Sequence, residues 1–123
     1  NELIQPEKKF EEKLLQLYRK VDIIGSKLNF SIKIYNPSKY FVKNLELAFV
    51  YPEILEIIPD RSDATEFNIR EFEPEANRFL SWSFRIKKSS RKKFDVQRFF
   101  LNICYINPFD NRVDFQKEME MIV

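Results

Sequence analysis

The stretch Lys27–Asn36, KLNFSIKIYN, decides the fold of this chain. Apolar and polar side chains alternate along it without a break, and the apolar ones are Leu28, Phe30, Ile32 and Ile34. Such alternation is typical of a β-strand with one face on a core and the other in water. Turn residues border it, Gly25-Ser26 before and Asn36-Pro37-Ser38 after. We therefore predict a strand here, with the rest of the chain packed against it.

Strand features recur downstream, separated by Pro, Asn and Asp turns. The predicted strands lie within residues 42–51, 54–58, 65–72, 79–87, 96–107 and 112–123. The segment Val96–Asn107 differs from the others because it is apolar on both faces, as in a central strand whose outer face is covered. No alternation of helices and strands is present that would build a parallel sheet. The chain is predicted to be all-β, an antiparallel β-sandwich of about seven or eight strands.

The first twenty residues allow two interpretations. Pro6 followed by Phe10, Leu14, Leu17 and Val21 fits the spacing of an amphipathic helix. The same region can instead supply the strand that covers the first edge of the sandwich. We predict a linker or a helical turn over residues 1–13 and a sandwich domain over 14–123 that opens with a strand, with the helix as the alternative.

A single glycine in 123 residues is unusual for a protein rich in turns. Tight turns often require a positive φ angle, which glycine adopts at no steric cost. Asn and Asp tolerate this conformation better than other side chains do. We therefore predict that Asn and Asp take the positive-φ positions here, or that longer loops avoid them.

The composition removes most kinds of catalytic and metal site. The chain has no histidine, one cysteine (Cys104) and one glycine, which excludes His-dependent nucleophiles, the usual zinc sites and phosphate-binding glycine loops. The acidic clusters at Asp60–Asp63 and Asp110–Asp114 lack the ligand density of a calcium loop and are interpreted as turns. We predict a protein that is not an enzyme and that binds no cofactor or metal.

Charge and hydropathy limit the classes of partner. A net charge of +2 is too small for a nucleic-acid-binding protein, and no apolar run is long enough to cross a membrane. The lone cysteine favours a reducing compartment such as the cytoplasm, or a thermophilic, archaeal-like origin. A cell-surface location is the alternative if the parent protein is anchored. Another protein or a peptide is the predicted partner.

The charges are unevenly distributed along the chain. Residues 46–75 contain nine acidic and two basic side chains, a net of −7, whereas residues 76–98 contain eight basic and one acidic, a net of +7. These segments either form opposed patches or lie side by side and neutralise each other. The basic segment either contains a solubilising hairpin tip or is a candidate site for an anionic peptide or, less favourably, an anionic membrane surface. The residues of this candidate site are Arg85, Lys87, Lys88, Arg91, Lys92 and Lys93.

The order of these segments resembles immunoglobulin-like domains of the CARDB and adaptin-appendage (ear) types. The resemblance begins at Val21–Phe30, where a hydrophobic residue, glycine and a second hydrophobic residue open the strand that ends at Asn36. It continues through Trp82-Ser83-Phe84 and through Ile103-Cys104-Tyr105 with the following Asp110-Asn111. It covers roughly residues 14–123 and rests on patterning alone. The chain departs from these families in its scarcity of glycine.

The resemblance implies an immunoglobulin-like sandwich that serves as a non-catalytic module of a larger protein. Adaptin ears bind short peptides, which implies protein or peptide recognition by sheet-edge pairing or at a shallow groove. A structural spacer or assembly domain is one alternative. A carbohydrate-associated accessory domain is another, for which the candidate aromatic residues are Tyr35, Tyr40, Phe41 and Phe109.

Overall fold

The computed structural model describes residues 2–4, 8–12, 14–87 and 96–122, and side chains within 14–87 and 96–121. Ten strands and one short 3-10 helix, Pro59–Arg61, form in these residues. The strands are β1 Glu2–Ile4, β2 Lys8–Glu12, β3 Gln16–Ile24, β4 Lys27–Tyr35, β5 Val42–Val50, β6 Leu55–Ile57, β7 Glu66–Phe72, β8 Asn77–Ile86, β9 Val96–Ile106 and β10 Arg112–Ile122.

The strands form two antiparallel sheets. In the first sheet β1 and β2 both pair with β3, followed in order by β4, β8 and β6. The second sheet has the order β10-β9-β5-β7. The apolar rows of the two sheets face each other in one core. Eight of the strands, β3 to β10, come from residues 16–122, so the predicted all-β sandwich is confirmed.

The strand predicted to organise the fold lies inside the first sheet, between β3 and β8. Leu28, Phe30, Ile32 and Ile34 are all buried, while the intervening side chains are partly exposed. Because β4 has a neighbour on each side, its whole length is paired, from Lys27 to Tyr35. The alternation in the sequence thus predicted both the strand and its buried face.

The amino-terminal region is stranded where the structure describes it. The linker or helical turn predicted for residues 1–13 is wrong for Glu2–Ile4 and Lys8–Glu12, and the alternative of an amphipathic helix is wrong for Gln16–Ile24. The tight turn at Gly25, whose φ is +61°, explains the outcome for β3. A two-residue turn returns the chain directly beside β4, and this favours an antiparallel strand over a helix. The domain boundary at residue 14 stays a prediction.

The core is centred on aromatic rings contributed by both sheets. Phe49 of β5 stacks on Trp82 of β8 with ring centroids 4.2 Å apart, and Phe30 of β4 stacks on Phe99 of β9 at 5.1 Å. Each pair joins one sheet to the other and adds about 0.5–1.5 kcal/mol to what burial alone provides. The indole nitrogen of Trp82 donates a hydrogen bond to the Ala64 carbonyl at 3.2 Å, so its polar atom is satisfied.

Residues other than glycine occupy three of the four positive-φ positions in the described residues. Asn44 and Asp110 confirm the prediction that Asn and Asp would do so, with φ of +50° and +62°, while Glu75 at +55° was not predicted. At Asn44 the register between β5 and β9 shifts by one residue. This bulge lets Val42 and Leu45, three positions apart, both face the core.

One buried amide ties together the two loops at one end of the sandwich. Asn36 Nδ2 donates to the carbonyl oxygens of Tyr40 (2.8 Å), Glu73 (3.1 Å) and Phe72 (3.5 Å). Asn36 Oδ1 accepts from the Ser38 hydroxyl at 2.7 Å and from the Ser38 amide at 3.1 Å. The β4–β5 and β7–β8 loops, which both cross between the sheets, are therefore held by the same side chain.

Candidate functional site

The basic site predicted from the sequence lies only partly in the described residues. Arg85 and Lys87 are exposed at the end of β8, and Arg85 is directly opposite Lys27 of β4. On its other side Arg85 is opposite Glu56 of β6. The structure thus adds one cation and one carboxylate to the neighbourhood of the predicted site. The remaining members lie outside the described residues: Lys88, Arg91, Lys92 and Lys93.

The acidic segment is divided between the two sheets. Glu56 and Asp63 of the acidic segment lie beside β8, and Asp63 Oδ2 accepts a hydrogen bond from the Ser81 amide at 2.7 Å. Glu46 and Glu66 instead lie on β5 and β7 of the second sheet. A part of the acidic segment therefore lies beside the basic segment, while another part gives the second sheet its own charge.

The outer face of the second sheet has apolar side chains along β9, interrupted by Asn102. Phe100, Cys104 and Ile106 point outward there and are half-buried by their neighbours. The outward residues Ala48 and Val50 of β5 extend this surface, and Val50 is 48% exposed. No element of the described part of the chain packs over it. We call these five residues the β9 stripe.

A shallow hollow of about 350 Å³ overlaps the β9 stripe at Ala48 and Cys104 and extends to the neighbouring carboxylates. Asn102, which is opposite Ala48, also lines it, and Phe100 and Ile106 flank these positions along β9. The small side chain of Cys104 leaves open space on the outer face. A bulky apolar side chain from outside has room there.

Carboxylates border the β9 stripe on both long sides. Cys104 lies between Glu46 of β5 and Asp114 of β10, and Ala48 is opposite Glu66 of β7. Further along β10, Glu118 is opposite Phe100. The resulting arrangement is an apolar surface between two rows of negative charge.

Two arginines on this face already have carboxylate partners. Arg98 Nε lies 3.0 Å from Glu118 and 3.5 Å from Glu120, and Arg112 lies 3.6 Å from Asp114. All of these side chains are exposed, so each pair stabilises the fold by about 1 kcal/mol at most. Within the described residues Glu46 and Glu66 have no ion-pair partner. The stripe therefore keeps unneutralised carboxylates.

The edge strands of the second sheet are poorly suited to pairing with a strand from a partner protein. Its edge strands β7 and β10 carry outward or edge charges at Glu66, Arg70, Glu71 and Lys117, among others. Charged edges are the usual protection against the addition of another strand. Of the two recognition modes expected from the sequence, the shallow surface has more support in the structure.

The aromatic residues considered for carbohydrate binding do not form a platform in the described part of the chain. Tyr40, Phe41 and Phe109 are exposed on loops at one end of the sandwich, and Tyr35 is half-buried on β4. No contact joins any two of these four rings. A sugar-binding row of stacked aromatics would require them to share a plane on one surface.

The described residues do not bring together a group of three or more His, Cys, Asp or Glu side chains that could hold a metal. The clusters interpreted as turns have structural roles. Asn107 Oδ1 accepts hydrogen bonds from the amides of Phe109 and Asn111, which closes the loop around Asp110. In the described segments no helix is long and apolar enough to cross a membrane.

Solved structures with the same fold are ear domains. The GAE domain of GGA2p from Saccharomyces cerevisiae has a TM-score of 0.67 and 10% identity over 94% of this chain and 97% of that chain. The GAE domain of yeast GGA1 has a TM-score of 0.52 and 14% identity over 100% of this chain and 98% of that one. No family model and no curated protein matches the sequence.

These similarities establish the fold, which is an immunoglobulin-like sandwich of the adaptin-appendage (ear) type. The ear-type resemblance drawn from the sequence is confirmed at this level. The CARDB part of that resemblance stays a prediction.

Sequence reasoning found the apolar outer row of β9 but not the carboxylates that border it. Glu46, Glu66 and Asp114 come from three separate strands, and only the register of those strands brings them around the stripe. The available signal was the acidic outward row of β10 beside a strand that is apolar on both faces.

Proposed function

We propose that this chain is a non-catalytic, adaptor-like module that binds another protein through the β9 stripe. The observation that carries this proposal is the apolar surface formed by Phe100, Cys104 and Ile106 on the outer face of β9, which nothing in the described residues covers. A strand that is apolar on both faces is normally buried on both. An exposed apolar surface with a polar border is typical of an interaction site.

Two further points support the proposal. The ear-type fold implies a module whose task is recognition of protein segments. The absence of histidine from the sequence, together with carboxylates that lie in the open around an apolar surface, is unfavourable for acid–base or nucleophilic catalysis. An enzyme would require a desolvated group in a cleft.

The proposal is tested by selecting peptides from a displayed random library against the whole chain. The variants Phe100→Lys and Phe79→Lys form a matched pair, because each replaces an outward phenylalanine on a strand inside one of the two sheets. We expect selected peptides to lose binding to Phe100→Lys and to keep it with Phe79→Lys. Circular dichroism and thermal unfolding establish that both variants are folded.

Peptides that bind equally to both variants would contradict the use of the β9 stripe. A selection that yields no binder would favour the structural spacer or assembly domain. Amide shifts in an NMR titration, located in β5, β9 and β10 or elsewhere, then identify the surface that is used.

A second candidate is an anionic partner at the basic site of Arg85, Lys87 and the residues up to Lys93. The observation that favours it is the position of Lys27 directly opposite Arg85, which adds a cation to the predicted site. Glu56 beside Arg85 weakens it. The double variant Lys27→Glu with Arg85→Glu is expected to abolish binding of an acidic peptide. Unchanged affinity would contradict this second candidate.

A further inference from the structure

We infer that the partner of the β9 stripe is an amphipathic helix whose single apolar stripe is bordered on both sides by Lys or Arg. This inference rests on the proposed function and adds the chemistry of the partner. Three features of the surface carry it: its hydrogen-bonding capacity, its dimensions and its charge.

Hydrogen bonding favours a helix over an extended peptide. The main-chain groups of β9 are already used, because β10 and β5 pair with it on either side. A segment lying on the face therefore receives no main-chain hydrogen bonds from the sheet. An extended peptide would bury its own N–H and C=O groups without partners, which is costly. A helix satisfies these groups internally and can bury its apolar side.

The dimensions of the stripe fit a short helix. Phe100 and Ile106 mark its two ends, six residues apart along β9, or about 20 Å at about 3.3 Å per residue. A helix of about 13 residues has this length, at about 1.5 Å per residue. The apolar surface spans β9 and β5, and the hollow over Ala48 and Cys104 accepts one large apolar side chain near its middle.

The carboxylates on both sides of the β9 stripe favour a partner helix with basic residues on both sides of its apolar stripe. Glu46 and Glu66 border one side of the stripe, and Asp114 and Glu118 border the other. Two of the arginines on this face, Arg98 and Arg112, already lie within 4 Å of carboxylates. A partner with acidic flanks would place like charges opposite Glu46 and Glu66, whereas Lys or Arg flanks give complementary pairs on both sides.

The test uses three synthetic peptides of about 13 residues, the length that spans the stripe. One has a leucine stripe with lysine flanks, the second has the same stripe with glutamate flanks, and the third is the lysine peptide with two central prolines. Each is titrated into the isotope-labelled whole chain, with affinity and amide shifts followed by NMR at low and high salt. We expect the lysine peptide to bind at β5, β9 and β10, at least about tenfold more tightly than the others and more weakly at high salt.

Charge reversal provides the matched control. The double variant Glu46→Lys with Asp114→Lys is expected to lower the affinity for the lysine peptide by about tenfold or more. The double variant Glu53→Lys with Glu56→Lys makes the same change in net charge at exposed positions away from the stripe, and the affinity should stay within about twofold. Equal losses in both variants would overturn the inference, since only overall charge would then matter.

The remaining outcomes separate this inference from the proposed function. If the glutamate peptide binds as tightly as the lysine peptide or more tightly, the partner does not require basic flanks. If the proline peptide binds as tightly as the lysine peptide, the partner does not need to be a helix. Either result would overturn the inference. If no peptide binds while library selection still yields binders that depend on Phe100, the inference fails and the proposed function stands. If no synthetic peptide binds and the selected binders do not depend on Phe100, the inference and the proposed function both fail.

Discussion

The outer faces of the two sheets differ in how their side chains are used. On the first sheet the outward residues contact one another: Ser83 Oγ donates to Asn29 Oδ1 at 2.7 Å, and the Ser31 and Ser81 hydroxyls lie 3.3 Å apart. Lys33 Nζ lies 4.3 Å from the centroid of the Tyr18 ring. On the second sheet the outward row of β9 contains Phe100, Cys104 and Ile106 and lies between carboxylates. Polar side chains of the first face thus contact one another, whereas the second face has apolar surface and charge that a partner can use.

The strongest test of this difference compares neighbouring residues of β9. Phe99 faces the core and is fully buried, whereas Phe100 faces outward and is half-buried. We expect Phe99→Ala to lower the free energy of unfolding by about 3–5 kcal/mol through cavity formation. Phe100→Ala should cost about 1 kcal/mol or less. Denaturant unfolding measures both, and equal losses would mean that the outer face of β9 is covered within the chain.

A smaller effect is expected from a comparison of two asparagines. Asn36→Ala removes the amide that donates hydrogen bonds to three carbonyl oxygens. We expect the free energy of unfolding to fall by about 2–3 kcal/mol because buried acceptors lose their donor. Asn29→Ala on the outer face of the first sheet removes one acceptor from Ser83, which should cost about 1 kcal/mol or less. Thermal and denaturant unfolding distinguish the two. A larger loss for Asn29→Ala would show that the contacts of the first face contribute more to stability than the tie between the loops.

The smallest effect is expected at Arg98, on the outer face of the second sheet. Arg98→Ala breaks two exposed ion pairs, so the change in stability should stay below about 1 kcal/mol. It also frees Glu118 and Glu120, so the lysine-flanked peptide should bind more tightly. Titration calorimetry measures that gain, and weaker binding would mean that Arg98 itself contacts the partner.

The sequence was sufficient for the parts of the fold that depend on local alternation. The row from Leu28 to Ile34 has one possible buried face, so both strand and orientation followed from it. It was insufficient at Asn44, where a bulge shifts the alternation and buries Val42. It also failed for Glu2–Ile4 and Lys8–Glu12, since these two short strands form by pairing with β3.

Only a part of the candidate site could be predicted from the sequence, because the rest depends on which residues become neighbours across strands. An apolar row on both faces of β9 is a local property and was visible. The hollow depends on Ala48 and Cys104 being neighbours on adjacent strands, and the border depends on the register of four strands. These relations are non-local, so one-dimensional patterning contains no direct signal for them.

The buried amide of Asn36 has a consequence for recognition. Both connections that it ties pass from one sheet to the other, so the sheets cannot slide past each other without breaking several hydrogen bonds together. This tie opposes relative movement of the two sheets, and with it movement of the strands around β9, before any partner arrives. Association then requires little reorganisation of this domain, and the entropic cost of ordering falls on the incoming segment.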